Sequence, residues 1–305
     1  MLILRSSISP HIKVMSRKSV LVTGCSEGGI GDALAQAFQR KGLHVFATAR
    51  SSSKIAHLSA LPNVTCIVLD VTSTESIETA VQIVNTKTGG KLDFLINNAG
   101  LGIVAPAIDA DIKDAKKMFD ANFWGAVEMV QAFSPLIISA KGTIGNVAAL
   151  GAILHVPWMS FYGASKAALV NWTEVLRLEM APFRVKVVPI MTGFVHTNIF
   201  NQGHGTSLPR ESLYWPAHKE IDARSAGSDV TEKMDANVYA NKVVNDLTNG
   251  ADGRIYRGGM SSGAKFITTF LPNSMVDKMM LGGTGLDKPA ELQAIQAARK
   301  ATKTG

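Results

Sequence analysis

The stretch SVLVTGCSEGGIG, residues 19–31, decides how this chain folds. Its first residues, SVLV, form the short aliphatic run that is typical of a buried strand, and the segment DALAQAFQRKG (32–42) predicts a helix closed by Gly42. Glycines between a strand and a helix permit a tight turn and let a pyrophosphate approach the free N–H groups of the helix N-terminus. The stretch therefore predicts a dinucleotide-binding βα unit, with a loop that serves only as a turn as the alternative.

The alternation of short β-rich runs and helical segments continues along the chain. Further strands are predicted at HVFATAR, VTCIVLD (64–70), KLDFLINNAG, GTIGNVA, FRVKVVPI and GRIYRGG, and helices at STESIETAVQIVN, around 114–139, at 160–181 and near 235–248. Strands that alternate with helices form a parallel sheet with helices on both faces. We therefore expect an α/β fold with a doubly wound, mostly parallel sheet, in a single Rossmann-type domain that spans 18–262.

Length, composition and charge limit the classes of protein to consider. With 305 residues, 46% of them hydrophobic, the chain can bury a sizeable core. Two cysteines, Cys25 and Cys66, cannot build a disulfide framework and suit a reducing compartment. The formal net charge of +7 suits an anionic ligand or a membrane surface, but no basic run has interleaved aromatic residues, so we expect no nucleic-acid partner.

Three segments fall outside the regular alternation. Residues 1–17 carry Ser and Arg but no acid, as transit peptides do. The alternative is a disordered leader or a start at Met15, because Pro10 would interrupt an amphipathic helix. The polar stretch 194–234, with Gly, Pro and aromatic residues, predicts a substrate lid. The C-terminal arm, 263–305, has an apolar part that either lies on a lipid surface or packs on the body or on another subunit. No run reaches the roughly 18 uninterrupted apolar residues of a membrane-spanning helix.

The end of the second predicted strand indicates which cofactor binds. An acid at this position would bind the 2′-hydroxyl of the NAD ribose, whereas an arginine accommodates the 2′-phosphate of NADP. The chain reads TARSSSK here, with Arg50, Ser51 and Lys54 and no acid, which predicts NADP(H) unless Arg50 is only solvated. Asp70, at the end of the third strand, is placed to meet the adenine edge. The small residues of INNAG (96–100) let the backbone lie close to the cofactor, or form an ordinary turn.

Tyr162 and Lys166 are four residues apart on a predicted helix and so share one face. A free phenol keeps its proton at neutral pH, and a neighbouring ammonium together with the cationic nicotinamide ring favours the phenolate and lowers the phenol pKa. Such a tyrosine can donate a proton to the oxygen of a ketone that receives hydride, or take it back in oxidation. The pair therefore predicts carbonyl–alcohol chemistry, and an exposed pair without function is the alternative.

Together these motifs resemble those of the short-chain dehydrogenase/reductase family over roughly residues 18–260. The matching segments are Thr23–Gly31, Asn97–Gly100, Asn122 in FDANFWG and Tyr162-x-x-x-Lys166. The glycine motif has one residue more than the usual TGxxxGxG. That insertion, together with FYGASKAAL, RLEMAPFRVKV and TGFVHTNI, is similar to the fungal NADPH-dependent acyl-dihydroxyacetone-phosphate reductase group, whose members sit at lipid droplets and the endoplasmic reticulum.

The resemblance implies roles for individual residues. Tyr162 would be the general acid/base, Lys166 would lower its pKa and hold the nicotinamide ribose, and Asn122 would order a water that links Lys166 to solvent. Val195 and Thr197 would meet the nicotinamide carboxamide. The full set of residues expected at the cofactor is Gly24, Ser26, Gly29, Ile30, Gly31, Arg50, Ser51, Asp70, Val71, Asn98, Ala99, Gly100, Tyr162, Lys166, Gly193, Val195 and Thr197, and no metal site is expected.

One position departs from the family pattern. Family members usually carry a serine thirteen residues before the tyrosine, and its hydroxyl hydrogen-bonds the reacting carbonyl oxygen. This chain has Ala149 there, preceded by Ala148, and neither Ser160 nor Ser165 is expected on the helix face that carries Tyr162. Loss of one such donor costs on the order of 10²–10³ in rate. Four explanations stay open: a hydroxyl of the substrate, another loop residue, an inactivated variant, or a chain that no longer runs the family's reaction.

We therefore expect an NADPH-dependent oxidoreductase that acts on a hydrophobic carbonyl or alcohol. The substrate is expected to be either an acyl ketone phosphate, whose phosphate would meet lid cations, or a polyketide or terpenoid ketone, against which aromatic side chains would lie. The lid cations are Arg210, His218, Lys219 and Arg224, and the aromatic residues are Trp158, Phe194, Tyr214 and Trp215. The alternative is an NADP(H)-binding protein without hydride transfer, which serves as a scaffold or uses Tyr162 for isomerisation or cyclisation.

The location follows from the same resemblance. We expect a cytoplasmic protein with peripheral contact to lipid droplets or the endoplasmic reticulum. The expected assembly is a homodimer or homotetramer.

Overall fold

The computed structural model describes residues 17–197 and 208–287. The leader up to residue 16, the central part of the predicted lid (198–207) and the end of the C-terminal arm (288–305) lie outside the described residues. The predictions made for those three segments therefore stay predictions.

The sheet of the described residues has seven strands, all parallel, in the order β3-β2-β1-β4-β5-β6-β7. The strands are β1 (Ser19–Val22), β2 (His44–Ala49), β3 (Val64–Val68), β4 (Phe94–Asn97), β5 (Thr143–Val147), β6 (Lys186–Thr192) and β7 (Ile255–Arg257). The predicted doubly wound α/β fold is confirmed. The strand order reverses between β1 and β4, so the crevice at their carboxyl ends is the topological switch point where such sheets bind ligands.

Nine α-helices lie in the described ranges. They are α1 (Ile30–Arg40), α2 (Thr74–Thr88), α3 (Ile112–Phe119), α4 (Gly125–Ala140), α5 (Ser160–Met180), α6 (His218–Ser225), α7 (Ala236–Thr248), α8 (Ser261–Phe270) and α9 (Asn273–Leu281). The helix predicted around 114–139 is α3 and α4, joined by a π-helical turn over Asp120–Trp124. A single π-helical turn leaves the spacing of hydrophobic residues in the sequence almost unchanged. The sequence pattern therefore predicted one uninterrupted helix.

The two faces of the sheet bury separate hydrophobic clusters. Successive strand side chains point to opposite faces, and β1 shows this directly because Val20 and Val22 lie in one cluster and Leu21 in the other. Phe38 of α1 packs in the first cluster, together with residues of α7. Phe133 of α4 packs in the second, together with residues of α2 and α5. Helices on both faces thus leave the carboxyl ends of the strands as the open edge.

Within the part of the chain that the structure describes, one helical run, 112–140, is long and apolar enough to cross a membrane by length and composition. Met129, Phe133 and Ile137 of this run are buried against the sheet. The run therefore serves in this fold as a core helix.

The stems of the lid are tied to the body through backbone contacts. The N–H of Gly193 donates to the carbonyl oxygen of Arg257 at 2.8 Å, and Phe194 and Gly259 exchange two N–H···O bonds of 2.8 and 3.1 Å. The N–H of Met234 donates to the oxygen of Phe194 at 3.0 Å. A Cβ built on Gly193 would lie 2.0 Å from the oxygen of Gly259, so only glycine fits there. Both stems of the lid are therefore held beside the end of β6.

The described part of the C-terminal arm packs with one face on the body. Ala264 of α8 and Val276 of α9 are buried, and Asp277 bonds His155 Nδ1 at 2.7 Å. The opposite face leaves Phe266 and Phe270 exposed, and the two rings contact each other at 5.0 Å between centroids. The described part of the arm is therefore packed on the body with its inner face, while its apolar outer face is exposed, and contact with a lipid surface stays a prediction.

Candidate functional site

A cavity of about 1500 Å³ opens at the carboxyl edge of the sheet. Residues that end or follow five strands line it: Gly24, Ala49, Asn98, Val147 and Thr192. This is the switch-point crevice, and it extends from the glycine loop, past Tyr162, to the C-terminal helices. The volume accommodates a dinucleotide and a substrate side by side.

The glycine loop is shaped for close approach of a pyrophosphate. Gly24 has φ +73°, and a Cβ on it would lie 2.9 Å from the Cα of Ala99. A Cβ on Gly31 would lie 2.3 Å from the oxygen of Gly24, so helix α1 packs directly on the loop. Gly29 is the N-cap of α1 and no side chain caps that helix. Free N–H groups at the N-terminus of α1 therefore face the cavity, which is the arrangement that binds an anion.

Two cations lie where the ribose of the cofactor is expected. Arg50 and Lys54, after β2, line the cavity, and Asp70 and Val71 line it after β3. Of the expected cofactor residues in this region, Ser51 does not line the cavity, because its hydroxyl bonds Ser53 at 2.8 Å. The absence of an acid at the end of β2 and the presence of Arg50 fit a 2′-phosphate.

A hydrogen-bond network behind the glycine loop escaped the sequence analysis. Asp32, buried in the first turn of α1, accepts from the N–H of Gly28 at 3.0 Å and from Gln36 at 2.8 Å, and it pairs with His57 Nε2 at 2.9 Å. The N–H of Glu27 donates to the oxygen of Lys54 at 3.1 Å. These contacts tie the glycine loop to the segment that carries the two cations. No sequence motif relates Asp32 to His57, because they meet only in the folded chain.

The INNAG turn lies against the start of the glycine loop. The hydroxyl of Thr23 accepts from the N–H groups of Asn98 and Ala99, each at 2.9 Å, and Asn98 Nδ2 donates to the oxygen of Thr23 at 2.9 Å. Gly100 faces Asn122, since a Cβ on Gly100 would lie 2.8 Å from Asn122 Oδ1. Asn98, Ala99 and Gly100 line the cavity as expected, and Thr23 positions them from behind.

Tyr162 and Lys166 lie one turn apart on α5, and both are buried and line the cavity. Lys166 Nζ donates to the oxygen of Val147 at 2.8 Å. Burial raises the pKa of Tyr162 to about 12 and lowers the pKa of Lys166 to about 8. The expected lowering of the tyrosine pKa is thus outweighed by desolvation in the protein alone. The phenol therefore keeps its proton at neutral pH, as a proton donor must.

Asn122 lies in the π-helical turn and holds two neighbouring segments. Its Oδ1 accepts from the N–H of Leu101 at 2.7 Å, and its Nδ2 donates to Leu101 O and to Ser165 Oγ, each at 3.0 Å. The hydroxyl of Ser165 in turn donates to the backbone oxygen of Tyr162 at 2.8 Å. Asn122 itself does not line the cavity, and the side chain of Ser165 is fully engaged. The structure therefore places Asn122 beside α5 as a support.

The alanine at the serine position faces the tyrosine. Ala149 lines the cavity and belongs to a small apolar cluster around Met118 and Tyr162. Its neighbour Ala148 also lines the cavity but belongs to a different cluster, with Met191. The remaining side chains of the tyrosine cluster are Leu101, Ile103, Met159 and Phe161. Ala149 therefore presents a methyl group, and no hydroxyl, to the tyrosine.

The far end of the cavity is also apolar. Two sets of side chains form its walls, one from the loop after β5 and the other from the C-terminal helices. They are Leu150, Leu154, Val156 and Met159, and Met260, Ala264, Ile267, Met279 and Met280. The sequence analysis missed the C-terminal set, because a methionine and alanine pattern on a remote helix is indistinguishable from ordinary core residues.

The lid residues named from the sequence lie mostly elsewhere. Among the four cations, Arg224 lines the cavity and is paired with Asp229 at 2.5 Å. Arg210 and His218 both lie against the ring of Trp215, at 5.7 and 4.6 Å from its centroid. The other residues that do not line the cavity are Lys219, Trp158, Tyr214 and Trp215, whereas Phe194 does. Trp158, Tyr214 and Trp215 instead form a separate buried cluster under the lid.

The remaining expected cofactor residues line the cavity. They are Ser26, Gly29 and Ile30 at the glycine loop and Gly193, Val195 and Thr197 after β6. Gly31 does not line it and instead packs on the loop. No group of three or more His, Cys, Asp or Glu side chains in the ranges 17–197 and 208–287 could hold a metal ion.

Comparisons with known proteins agree with this geometry. The family model of short chain dehydrogenases matches residues 18–205. A short-chain dehydrogenase of Penicillium ochrochloron is 44% identical over 272 residues, covering 89% of this chain and 100% of that protein. An NADPH-dependent 1-acyldihydroxyacetone phosphate reductase of Schizosaccharomyces pombe is 45% identical over 210 residues, covering 68% of this chain and 71% of that protein. The crystal structure of a short chain dehydrogenase from Burkholderia cenocepacia in complex with NADP has a TM-score of 0.68 at 26% identity, covering 87% of this chain and 97% of that one.

Proposed function

The chain belongs to the short-chain dehydrogenase family, an oxidoreductase family that uses nicotinamide cofactors, and from this premise we propose that it is an NADPH-dependent reductase of an uncharged, apolar ketone. The observation that carries the proposal is the position of Tyr162 and Lys166. They lie between a dinucleotide-shaped cleft and an apolar end of the same cavity.

The cofactor part of the proposal depends on the residues after β2. Arg50 and Lys54 line the cavity where a 2′-phosphate would lie, and no acid is there to bind a free 2′-hydroxyl. The relatives support the same choice, because one is described as NADPH-dependent and one solved neighbour contains NADP. When bound, the reduced nicotinamide supplies the hydride that a carbonyl carbon accepts.

The tyrosine is in the state that a proton donor needs. Burial raises the pKa of Tyr162 to about 12, so the phenol is protonated at neutral pH and can give its proton to a carbonyl oxygen. Lys166, with its pKa lowered to about 8, lies one turn along the same helix. A protonated tyrosine beside the cofactor cleft suits the reduction of a ketone, and the same residue would accept the proton in the reverse reaction.

The substrate part of the proposal depends on the walls of the cavity. Aliphatic and methionine side chains form a large part of the described lining, and two lid cations, Arg224 and Lys233, also reach the cavity. Arg224 is paired with Asp229 and Lys233 Nζ donates to the oxygen of Gly227, so a phosphate would have to displace one of these partners to gain a cation. The geometry therefore supports an apolar ketone over an acyl ketone phosphate.

The test is consumption of NADPH with a panel of ketones. We expect turnover of apolar ketones, no faster turnover of a phosphate-bearing ketone, and loss of turnover in Tyr162→Phe with unchanged NADPH binding. The proposal would be refuted if NADPH binds but none of the ketones in the panel causes a loss of NADPH absorbance.

A second function is favoured by Ala149, which leaves the tyrosine without its usual neighbouring donor. In that case the protein would bind NADP(H) as a scaffold, or Tyr162 would transfer protons in an isomerisation or cyclisation. Product analysis with and without NADPH distinguishes these cases: a reductase gives product only with NADPH, an isomerase or cyclase also without it, and a scaffold under neither condition.

We further propose that the outer face of α8 and α9 lies on a lipid surface. Phe266 and Phe270 are exposed there, and Lys265 and Lys278 flank them, which suits the boundary between acyl chains and anionic headgroups. The patch is continuous with the cavity, because Met279 is both exposed and part of the cavity wall. A lipid surface would therefore deliver an apolar substrate at the mouth of the site.

The predicted homodimer or homotetramer stays a prediction. Leu178 on the outer face of α5 and Phe183 just after it are exposed apolar residues that a second copy could cover. Sedimentation velocity of the full chain would decide the assembly.

A further inference from the structure

The oxygen site of the proposed reductase lacks the serine hydroxyl that the family usually places beside the tyrosine. Tyr162 supplies one donor, and Ala149, which packs against it at the serine position, supplies none. A ketone oxygen that becomes an alkoxide normally needs more than one donor, and removal of one costs on the order of 10²–10³ in rate. The site therefore lacks a group that the reaction requires.

The neighbouring hydroxyl groups are engaged elsewhere. Ser165 is bonded to Asn122 and to the backbone of α5. Ser160 is exposed and does not line the cavity. Thr192 lines the cavity, but its hydroxyl bonds Tyr239 Oη at 2.7 Å and the oxygen of Ile190 at 3.3 Å. Ser165 and Thr192 could replace the missing donor only by breaking a buried bond, and Ser160 lies outside the cavity.

We propose that the substrate supplies the second donor, as a hydroxyl placed so that it closes a six-membered hydrogen-bonded ring with its own carbonyl oxygen. This inference rests on the proposed reductase function and narrows its substrate to ortho-hydroxyaryl ketones and enolised 1,3-dicarbonyl compounds. Such an internal O–H···O contact has the length of about 2.5–2.8 Å that is typical of good hydroxyl bonds. The methyl group of Ala149 leaves space where a serine hydroxyl would otherwise compete for the same lone pair.

The chemistry balances with the groups already named. The carbonyl carbon gains a hydride from the reduced nicotinamide, which is oxidised, and the carbonyl oxygen gains the proton of Tyr162 Oη. The substrate hydroxyl keeps its proton throughout and only stabilises the charge that develops on the oxygen. The tyrosine is then reprotonated from solvent, and the product is the hydroxy alcohol.

The experiment compares two ketones that differ only in the position of one hydroxyl. The probes are an ortho-hydroxyphenyl alkyl ketone and its para isomer, with the O-methyl ether of the ortho compound as a further control. For the unmodified protein we expect kcat/KM to be at least tenfold higher for the ortho isomer. Dissociation constants, measured by quenching of tryptophan fluorescence, should differ by less than threefold, because the internal bond acts mainly as charge develops.

A variant of the alanine at the serine position tests the same point. Ala149→Ser places a hydroxyl beside Tyr162 and should raise turnover of the para isomer tenfold or more, so that the preference for the ortho isomer shrinks.

The outcomes separate this inference from the proposed function. Equal kcat/KM for the ortho and para isomers in the unmodified protein would overturn the inference and leave the reductase proposal intact. If neither the unmodified protein nor Ala149→Ser reduces any ketone while NADPH still binds, both the inference and the reductase proposal are overturned. Because the comparison of isomers uses the unmodified protein, it does not depend on whether the variants fold.

Discussion

Replacement of the two exposed phenylalanines on α8 should abolish binding to lipid. Phe266 and Phe270 are 59% and 69% exposed, which corresponds to roughly 250 Å² of aromatic surface if each side chain presents about 200 Å². At about 25 cal/mol per Å², full transfer of that surface out of water is worth about 6 kcal/mol. Only part of each ring enters the headgroup boundary and binding immobilises the protein, so about half of that value should be realised. The double variant Phe266→Ser/Phe270→Ser should therefore lower the partition coefficient on the order of 100-fold.

The measurement is co-sedimentation of the full chain with phosphatidylcholine vesicles that contain an anionic lipid. A matched control, Val68→Ser/Ile108→Ser, removes two apolar side chains that are 54% and 67% exposed on other faces of the molecule. The control should partition as the unmodified protein does. Equal partition of all three proteins would refute the reasoning. Loss of self-association in the phenylalanine variant, with no change in lipid binding, would show instead that a second copy of the chain covers this face.

Three further predictions concern the cofactor site and its packing. Arg50→Asp should weaken the binding of NADPH about tenfold relative to that of NADH in a fluorescence titration. This factor is at the low end for a charged hydrogen bond, because Arg50 is exposed. An unchanged ratio of the two dissociation constants would count against the cofactor assignment. Burial lowers the pKa of Lys166 from 10.5 to about 8, so between these values the unfolded chain binds a proton that the folded protein has released. The free energy of unfolding without cofactor should therefore rise from pH 8 to 10 by on the order of 1–3 kcal/mol more than in Lys166→Met, as urea denaturation would show. Gly31→Ala puts a Cβ 2.3 Å from the oxygen of Gly24 and should destabilise the protein by about 1–3 kcal/mol in thermal unfolding, whereas Gly263→Ala meets nothing within 4 Å and should not.

The sheet and the cofactor cleft were predictable because their signals are local. The aliphatic run before the glycine loop, the glycines themselves and Arg50 at the end of β2 each act within a few residues of their own position. The doubly wound topology then brings these short segments to one edge, since the carboxyl ends of parallel strands must meet there. Ala149 was identified for the same reason, as its distance from Tyr162 in the sequence is constant within the motif.

The remainder of the site depended on contacts between distant segments. Met279 lines the cavity only because α9 folds back over the loop after β5, and no local pattern states that direction. The pair of Asp32 and His57 likewise forms across two elements. The rise of the Tyr162 pKa in the protein without cofactor was not predictable either, because the depth of burial of Tyr162 is a property of the whole fold. The lowered pKa expected beside the nicotinamide ring stays a prediction. The sequence correctly placed Tyr162 and Lys166 on one helix face, but their pKa values depend on the residues that bury them.

The backbone contacts at the base of the lid allow the substrate end of the cavity to change in evolution independently of the cofactor end. Gly259 holds the first stem of the lid at Phe194, and Phe194 in turn holds the second stem at Met234, so the lid between 194 and 234 is joined to the body at both ends. Insertions, deletions and exchanges of residues between these two stems would alter the shape of the substrate end without shifting β6 or the glycine loop. A family built in this way can acquire new substrates by changing one loop while its cofactor chemistry is inherited unchanged.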